Sequence, residues 1–399
     1  MPADDPSSSV AALKEAADRA MRNADPRTAR DFFQRALVLD AGRIELWMGL
    51  AACQRVLGDA SAALAAVENA LGVEPRFFPA LLMKGSLLET LGQTRSAAIT
   101  YGVAVKLAPA AESLSESTRR ALAHGEQAHS AYAAELVANL RTEAGLENLG
   151  AGAAARRRVD AFVEAIADRR KIYHQEPVKF HYPGQPAIEF WEREEFPWLE
   201  ALEDRTAAIR AEVLNVWSEG SPELAPYVNY PPGIPVDQWA ELNHSLAWSA
   251  YHLIEDGVPV ESHARNCPDT MAALDLVDQP HVPGRSPAAM FSILRPRTRI
   301  PPHTGVANTR LVLHLPLIVP EGCAFRVGGE TRPWREGEAW VFDDTIEHEA
   351  WNDSDKPRAI LICDVWSPRL SSEERQAVAS LLAALDRFNG EGDAKGHGL

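Results

Sequence analysis

Between residues 25 and 109 the apolar positions fall into a pattern that returns every 34 residues. Ala36, Ala70 and Ala104 hold one point of the repeat, Leu37, Leu71 and Val105 the next, and Leu39, Val73 and Leu107 a third. Leu57-Gly58 returns as Leu91-Gly92, and Pro75 returns as Pro109. Small residues where helices touch, with a glycine at the turn between them, predict pairs of antiparallel helices. Two repeats are well formed and a degenerate one covers Ala11 to Arg22. Such pairs cannot bury their faces singly, so neighbouring helices must finish the array. The stretch from Ser113 to Ile166 supplies them, with few breakers before Gly145, Gly150 and Gly152.

Near Tyr173 the pattern changes. Pro and aromatic residues become frequent, then Ala201, Leu202, Ile209, Val213 and Val216 predict one amphipathic helix from Glu200 to Glu219. From Ala288 to Trp366 the chain reads as short strands, MFSIL, RLVLHLPLIV, CAFRV, EAWVF and RAILICDVW, separated by Pro, Gly, Asp and Asn. Consecutive strands with turns at this spacing predict an antiparallel sandwich or barrel. A last helix, Ser371 to Phe388, starts at a capping sequence.

Side-chain alternation turns the strands into a candidate site. Arg310, Val312 and His314 share one face of their strand while Leu311, Leu313 and Leu315 occupy the other. Arg358, Ile360 and Ile362 likewise oppose Ala359, Leu361 and Cys363. His303 and His348 each stand beside a strand. Two neutral imidazoles with open positions suit a metal inside a barrel that also takes water, a bidentate oxoacid and a gas such as dioxygen. An arginine at the mouth of such a barrel suits a carboxylate clamp and implies a dicarboxylate. Of the adjacent Asp343 and Asp344, at most one points inward. Asn243, His244, His252, His263 and Asn266 form a second polar group, read equally as a substrate contact or as surface turns.

Composition narrows the classes. A chain of 399 residues predicts two domains or more. Its net charge of −16 opposes nucleic acid and anionic lipid as partners. Cys53, Cys267, Cys323 and Cys363 are scattered, which predicts neither a disulfide framework nor a zinc knuckle. The first 20 residues do not read as a secretory signal, and no apolar run is long enough to span a membrane; a cytoplasmic location is the expectation.

Two resemblances add to this reading. The repeat resembles tetratricopeptide arrays, whose concave surface binds peptides or proteins, or which serve as capping or dimerising scaffolds. The blocks PHTG, EGC, FDD, EHE-W and DVW-P, with the upstream FPWLEAL segment, resemble the catalytic domain of the aspartyl/asparaginyl β-hydroxylases, iron(II)- and 2-oxoglutarate-dependent oxygenases, over Tyr173 to Leu370. That resemblance implies a double-stranded β-helix (jelly-roll or cupin-like) domain with flanking helices. It makes His303 and His348 the iron ligands, with Gly305 where related oxygenases carry a third, carboxylate ligand. It assigns Arg358 and Ser292 to the distal carboxylate of 2-oxoglutarate and His314 to the nearer one. Val312 departs from the family, which often has a basic residue there; Arg310, on the same strand face, is the candidate to replace it.

The domain organisation that follows is a disordered N-terminus at 1–10, repeats at 11–125, a helical connector at 126–172, the oxygenase domain at 173–390 and a flexible tail at 391–399. The expected reaction is hydroxylation of an Asp- or Asn-type side chain in a peptide or protein docked on the repeats, with O2 consumed and succinate and CO2 formed. Alternatives are a free amino acid, a peptide natural product or a lipid acyl chain as substrate, a non-catalytic repeat scaffold with a degenerate barrel, and a cupin-like enzyme using another metal.

Overall fold

The computed structural model describes residues 9–150, 152–217, 223–233 and 235–389. The expected flexible tail, and all but the end of the expected disordered N-terminus, lie outside them. The chain divides into two compact units, Met1–Arg169 and Arg170–Leu399.

The first unit is helical: α1 (Val10–Arg22), α2 (Pro26–Leu39), α3 (Ile44–Val56), α4 (Ala60–Val73), α5 (Phe78–Thr90), α6 (Thr94–Lys106), α7 (Glu116–Glu143) and α8 (Ala153–Ile166). Consecutive helices pack as α1 with α2, α3 with α4 and α5 with α6, which makes three tetratricopeptide-like pairs. Ala36, Ala70 and Ala104 sit on the second helix of each pair and are fully buried, since only a small side chain fits where two helix backbones approach. Ser9, Asp25, Asp59 and Ser115 accept backbone N–H bonds that cap α1, α2, α4 and α7. The turns inside the second and third pairs need a left-handed residue and have Gly58 (φ 82°) and Gly92 (φ 75°). The first pair has Ala24 at the equivalent place, also left-handed (φ 56°), which is why its sequence signal is weak although its geometry is the same. The expected boundary at residue 125 falls inside α7, so repeats and connector form one helical body.

The second unit contains α9 (Leu199–Glu203), α10 (Thr206–Val216), β1 (Ala225–Pro226), β2 (Trp248–Glu255), β3 (Val258–Pro259), α11 (Glu261–Asn266), α12 (Pro268–Leu274), β4 (Ala289–Leu294), β5 (Thr298–His303), β6 (Arg310–Ile318), β7 (Cys323–Val327), β8 (Glu330–Pro333), β9 (Trp340–Phe342), β10 (His348–Asn352), β11 (Arg358–Trp366) and α13 (Ser372–Asn389). The single helix expected over 200–219 is two, α9 and α10, broken where Thr206 Oγ1 donates to the Glu203 carbonyl at 2.6 Å; residues 218–219 of that expectation lie outside the described ones.

Two antiparallel sheets result: a larger one ordered β1-β2-β4-β11-β6-β9, with β3 on the far side of β2, and a smaller one ordered β5-β10-β7-β8. One face of the larger sheet, with Leu311, Leu313, Leu315, Leu361 and Cys363, packs on Leu202, Ile209, Val213 and Leu274 of the helices. Its other face, with Val312, Leu294 and Ile360, meets Ile300, Phe325 and Ala350 of the smaller sheet. A central sheet buried on both sides needs apolar residues on both, which explains the near-continuous apolar runs of β4, β6 and β11. Glu212 of α10 caps α12, accepting from the backbone N–H groups of Asp269 and Thr270. In α13 the capping box is made by Ser371 and Glu374. All four cysteines are buried and free, and among the described residues no helix is long and apolar enough to cross a membrane.

The repeats allow a direct test of close packing and turn strain. A Cβ on Gly85 meets the Tyr101 ring of the paired helix, so Gly85→Ala should destabilise the chain by about 1–3 kcal/mol. Ala24→Gly, which relieves a left-handed alanine, should stabilise it by about 1 kcal/mol. Urea unfolding of the two variants beside the wild type reads both signs; the same sign for both would contradict this account.

Candidate active site: a two-histidine cavity between the sheets

A cavity of about 180 Å³ lies between the sheets, lined among others by Ser292, His303, Arg310, His314, His348 and Arg358. All six site residues singled out in the sequence therefore meet in one place. Strand pairing explains how residues so far apart in the chain converge. His303 ends β5, His348 begins β10, and the two are register partners, which brings their ring centroids to 4.0 Å.

Backbone carbonyls fix both rings in one tautomer. His303 Nδ1–H donates to the Pro301 carbonyl at 2.8 Å, and His348 Nδ1–H to that of Ile346 at 3.0 Å. A carbonyl only accepts, so the proton is on Nδ1 and the Nε2 lone pair is left for a metal. Burial pushes the His303 pKa down to about 3, helped by His348, and burial pushes that of His348 down to about 4. Both rings are neutral, the form a metal requires.

The two arginines of the cavity are in opposite electrostatic states. Arg310 Nη1 donates to Asp344 Oδ2 at 2.9 Å, and its Nε lies 3.3 Å from Asp364 Oδ1. Burial alone would lower its pKa, yet the two carboxylates outweigh burial and hold it above the usual value. Arg358 is 1% exposed, its Nε has no hydrogen-bond partner and its guanidinium lies over the Trp334 ring at 4.7 Å. Burial lowers its pKa to about 10, with no carboxylate opposing the shift. A buried cation without a counter-charge is costly and marks a place for an anion.

His314 is clasped between Phe325 and Phe342, at 4.9 and 4.7 Å between centroids, and its Nδ1 has no partner. Burial, then Arg358, keep it neutral. Ser292 Oγ accepts from Trp248 Nε1–H at 3.0 Å, which leaves the serine's own hydrogen to donate elsewhere. Val312 faces the same cavity as an uncharged wall.

Asp344 faces inward while Asp343 turns away, accepting from Thr345 and Gln175 to order the loop before His348. A Cβ at Gly305 would run into the Asp344 carboxylate, so no side chain at 305 is compatible with this arrangement. Among the described residues no group of three or more His, Cys, Asp or Glu side chains is placed to hold a metal; a cation here would have two protein ligands. The donor set fits a resident iron bound by two imidazoles, with an oxoacid carboxylate on Arg358.

Sequence reasoning missed the aromatic wall of Tyr227 and Trp248, stacked at 3.8 Å between centroids. Alternation along β2, which puts Trp248, Ala250 and His252 on one face, was the available signal. The polar group at 243–266 does not gather at this cavity. Asn243 holds the Tyr230 backbone, and His263 is stacked on Tyr251 with its Nδ1 on the His252 carbonyl.

Residues 203–368 match the family described as aspartyl/asparaginyl beta-hydroxylase. The chain is 37% identical over 149 residues to the Mus musculus protein of that name, covering 37% of this chain and 20% of that one. It is 36% identical over 194 residues to the ornithine lipid ester-linked acyl 2-hydroxylase of Rhizobium tropici, covering 48% of this chain and 64% of that one. The chain thus spans about one fifth of the mouse relative and just under two thirds of the rhizobial one. Among solved structures, the Arabidopsis OM64 TPR domain matches with 19% identity and TM-score 0.27, over 30% of this chain and 94% of that one.

Two outcomes follow from the electrostatics. Arg358→Met should raise the stability of the ligand-free chain by about 1–3 kcal/mol, because it removes an unpaired buried charge; a lower thermal midpoint would say that the charge is compensated. For His303 and His348 the unfolded chain takes up protons near the ordinary value of 6.5 and the folded chain only near 3 and 4. The unfolded state binds more protons in that window, so stability should fall as pH drops from about 6.5 toward 4. His348→Gln should flatten that slope in denaturant titrations at each pH.

Proposed function

We propose that this chain, whose β-domain belongs to the aspartyl/asparaginyl β-hydroxylase family, is an iron(II)- and 2-oxoglutarate-dependent dioxygenase that hydroxylates a C–H bond. The observation that carries the reading is the buried, carboxylate-free Arg358 in the same cavity as two imidazoles with free Nε2 lone pairs. Overall, one oxygen of O2 enters the substrate as hydroxyl and the other enters succinate, with CO2 released from 2-oxoglutarate, so the co-substrate and the substrate C–H bond each supply two of the four electrons that O2 takes up.

His303 and His348 would hold the iron through Nε2, and the iron supplies the redox chemistry that no side chain can. The chain's own part is placement and electrostatics. Arg358 receives the distal carboxylate of 2-oxoglutarate, and Ser292, already accepting from Trp248, donates its hydroxyl hydrogen to the same group. His314, neutral and with one free ring nitrogen, faces the nearer carboxylate. Val312 contributes no charge, and Arg310 brings a cation that two aspartates already offset. Trp334, Phe325 and Phe342 exclude water around the guanidinium and the imidazoles. The relatives' names point to two kinds of substrate, an aspartyl or asparaginyl residue in one case and an ester-linked acyl chain in the other. A peptide docked on the helical unit would suit the first.

Protein prepared without oxygen, given iron(II) and 2-oxoglutarate and then air, should form succinate. His303→Ala and His348→Ala should abolish it. By isothermal titration, Arg358→Ala should weaken 2-oxoglutarate binding about tenfold or more, consistent with the loss of a charge-assisted contact, and Arg310→Ala should weaken it less. Metal-independent turnover, or no 2-oxoglutarate binding at all, would sink the reading.

A further inference from the structure

The segment 175–182 runs along both of the loops that adjoin the histidines. Gln175 bridges Ile346 in antiparallel fashion, and Glu176 N–H donates to the Thr345 carbonyl at 2.7 Å. Further along, Val178 N–H donates to the Gly305 carbonyl at 2.9 Å and Phe180 N–H to that of Val306 at 3.0 Å. The two loops also meet directly, where Gly305 N–H donates to the Asp344 carbonyl at 2.6 Å. Ile346 is the residue whose carbonyl fixes the His348 ring. The segment therefore holds the support of one histidine and the backbone just beyond the other.

Three side chains repeat this link as a polarised relay. Asp343 is fully buried. Burial pushes its pKa up to about 6, against the opposing hydrogen bonds from Thr345 and Gln175, so at neutral pH it is a carboxylate and only accepts. One of its oxygens takes the Thr345 N–H at 3.0 Å and the Thr345 hydroxyl at 2.6 Å, and the other takes Gln175 Nε2–H. That dictates the orientation of everything downstream. Gln175 must turn Oε1 the other way, where it accepts from Asn308 Nδ2 at 3.0 Å. Asn308, 2% exposed on the loop after His303, must then turn Oδ1 to the Tyr182 N–H at 2.6 Å, while Nδ2 also donates to the Tyr182 carbonyl at 2.9 Å. Flipping either amide would set donor against donor.

We propose that Gln175 is a positioning residue for the metal: through Asp343 on one side and Asn308 on the other it sets the spacing of His303 and His348. The inference rests on the proposed function only in taking the two histidines as metal ligands, and not on the co-substrate. Gln175 lies upstream of the family match at 203–368. A site with two protein ligands depends on their spacing more than a closed one does, because no third side chain compensates for a displaced ring. Metal affinity is therefore the property that the relay governs.

The charge can be moved along the relay without breaking it, and this supplies the test. Asp343→Asn alone presents an N–H to the Gln175 amide N–H, and each flip that cures this moves the conflict to Thr345, Asn308 or Tyr182. Gln175→Glu alone sets two carboxylates against each other. In the double variant the amide now at 343 donates to the carboxylate now at 175, which still accepts from Asn308; only the 3.4 Å contact of Gln175 with the Pro186 carbonyl is lost. The full chain at neutral pH, without 2-oxoglutarate or oxygen, is titrated with cobalt(II), its affinity read by isothermal titration and its geometry by the d–d absorption. Thermal midpoints of the metal-free proteins are recorded alongside. Each single substitution should weaken cobalt(II) about tenfold or more and alter the absorption band, and the double variant should return to within about threefold of the wild type. Gln175→Ala, at a half-buried position, should weaken cobalt(II) to a similar degree and decides where a single charge variant fails to fold. Undiminished affinity in folded single variants, even with lowered midpoints, would make the relay a purely structural contact and overturn the inference. A double variant as weak as the singles would overturn it too. A wild type that takes up no cobalt(II) would sink the metal reading and the inference with it, whereas a metal-binding wild type with equally binding variants sinks the inference alone.

Discussion

The site depends on the burial of β11 on both faces. Ala359, Leu361, Cys363 and Val365 are locked against the helices, and because successive side chains in a strand point to opposite sides, Arg358, Ile360, Ile362 and Asp364 have only the interior between the sheets to occupy. A slip of one residue would put Arg358 among helix side chains and an apolar residue in the cavity. The apolar packing of one face thereby fixes the position of a buried charge on the other. The same logic on β6 places Arg310, Val312 and His314 beside it, held by the register that pairs Ile362 with His314 and Asp364 with Val312.

Two arginines on neighbouring strands consequently differ in role. Arg310 is neutralised by Asp344 and Asp364, the one on the loop before β10 and the other on β11. Arg358 has an aromatic face and no carboxylate, so the protein holds it at a cost that an incoming anion offsets. That difference gives the cavity a direction, with the uncompensated cation at the Arg358 end and the carboxylate-paired one at the other. Gly305 belongs to the same arrangement, since the space a side chain would fill there is taken by the carboxylate that steadies Arg310.

The repeat units show how far a local signal carries. The 34-residue period located α3 to α6 because Gly58 and Gly92 mark their turns, and it faded at the first pair because Ala24 adopts the same left-handed turn without the glycine that announces it. In the β-unit the strands β4, β6, β7, β9 and β11 were legible from apolar runs. Strands β2, β5 and β10 were not, since TRIPPH and HEAWN mix polar, proline and aromatic residues, and the sheet partner decides their state.

By itself the sequence determined which side chains share a strand face, because alternation is a property of one chain segment, and it offered His303, His348, His314, Arg310 and Arg358 as candidate site residues, with Ser292 added by the family resemblance. What only the tertiary structure decided were the pairings between segments: that His348 stands opposite His303, that Asp344 rather than Asp343 turns inward, and that Arg310 is held by carboxylates while Arg358 is not. Each depends on register and distance between residues tens of positions apart, which arise when the sheets pair and pack and which no local pattern encodes.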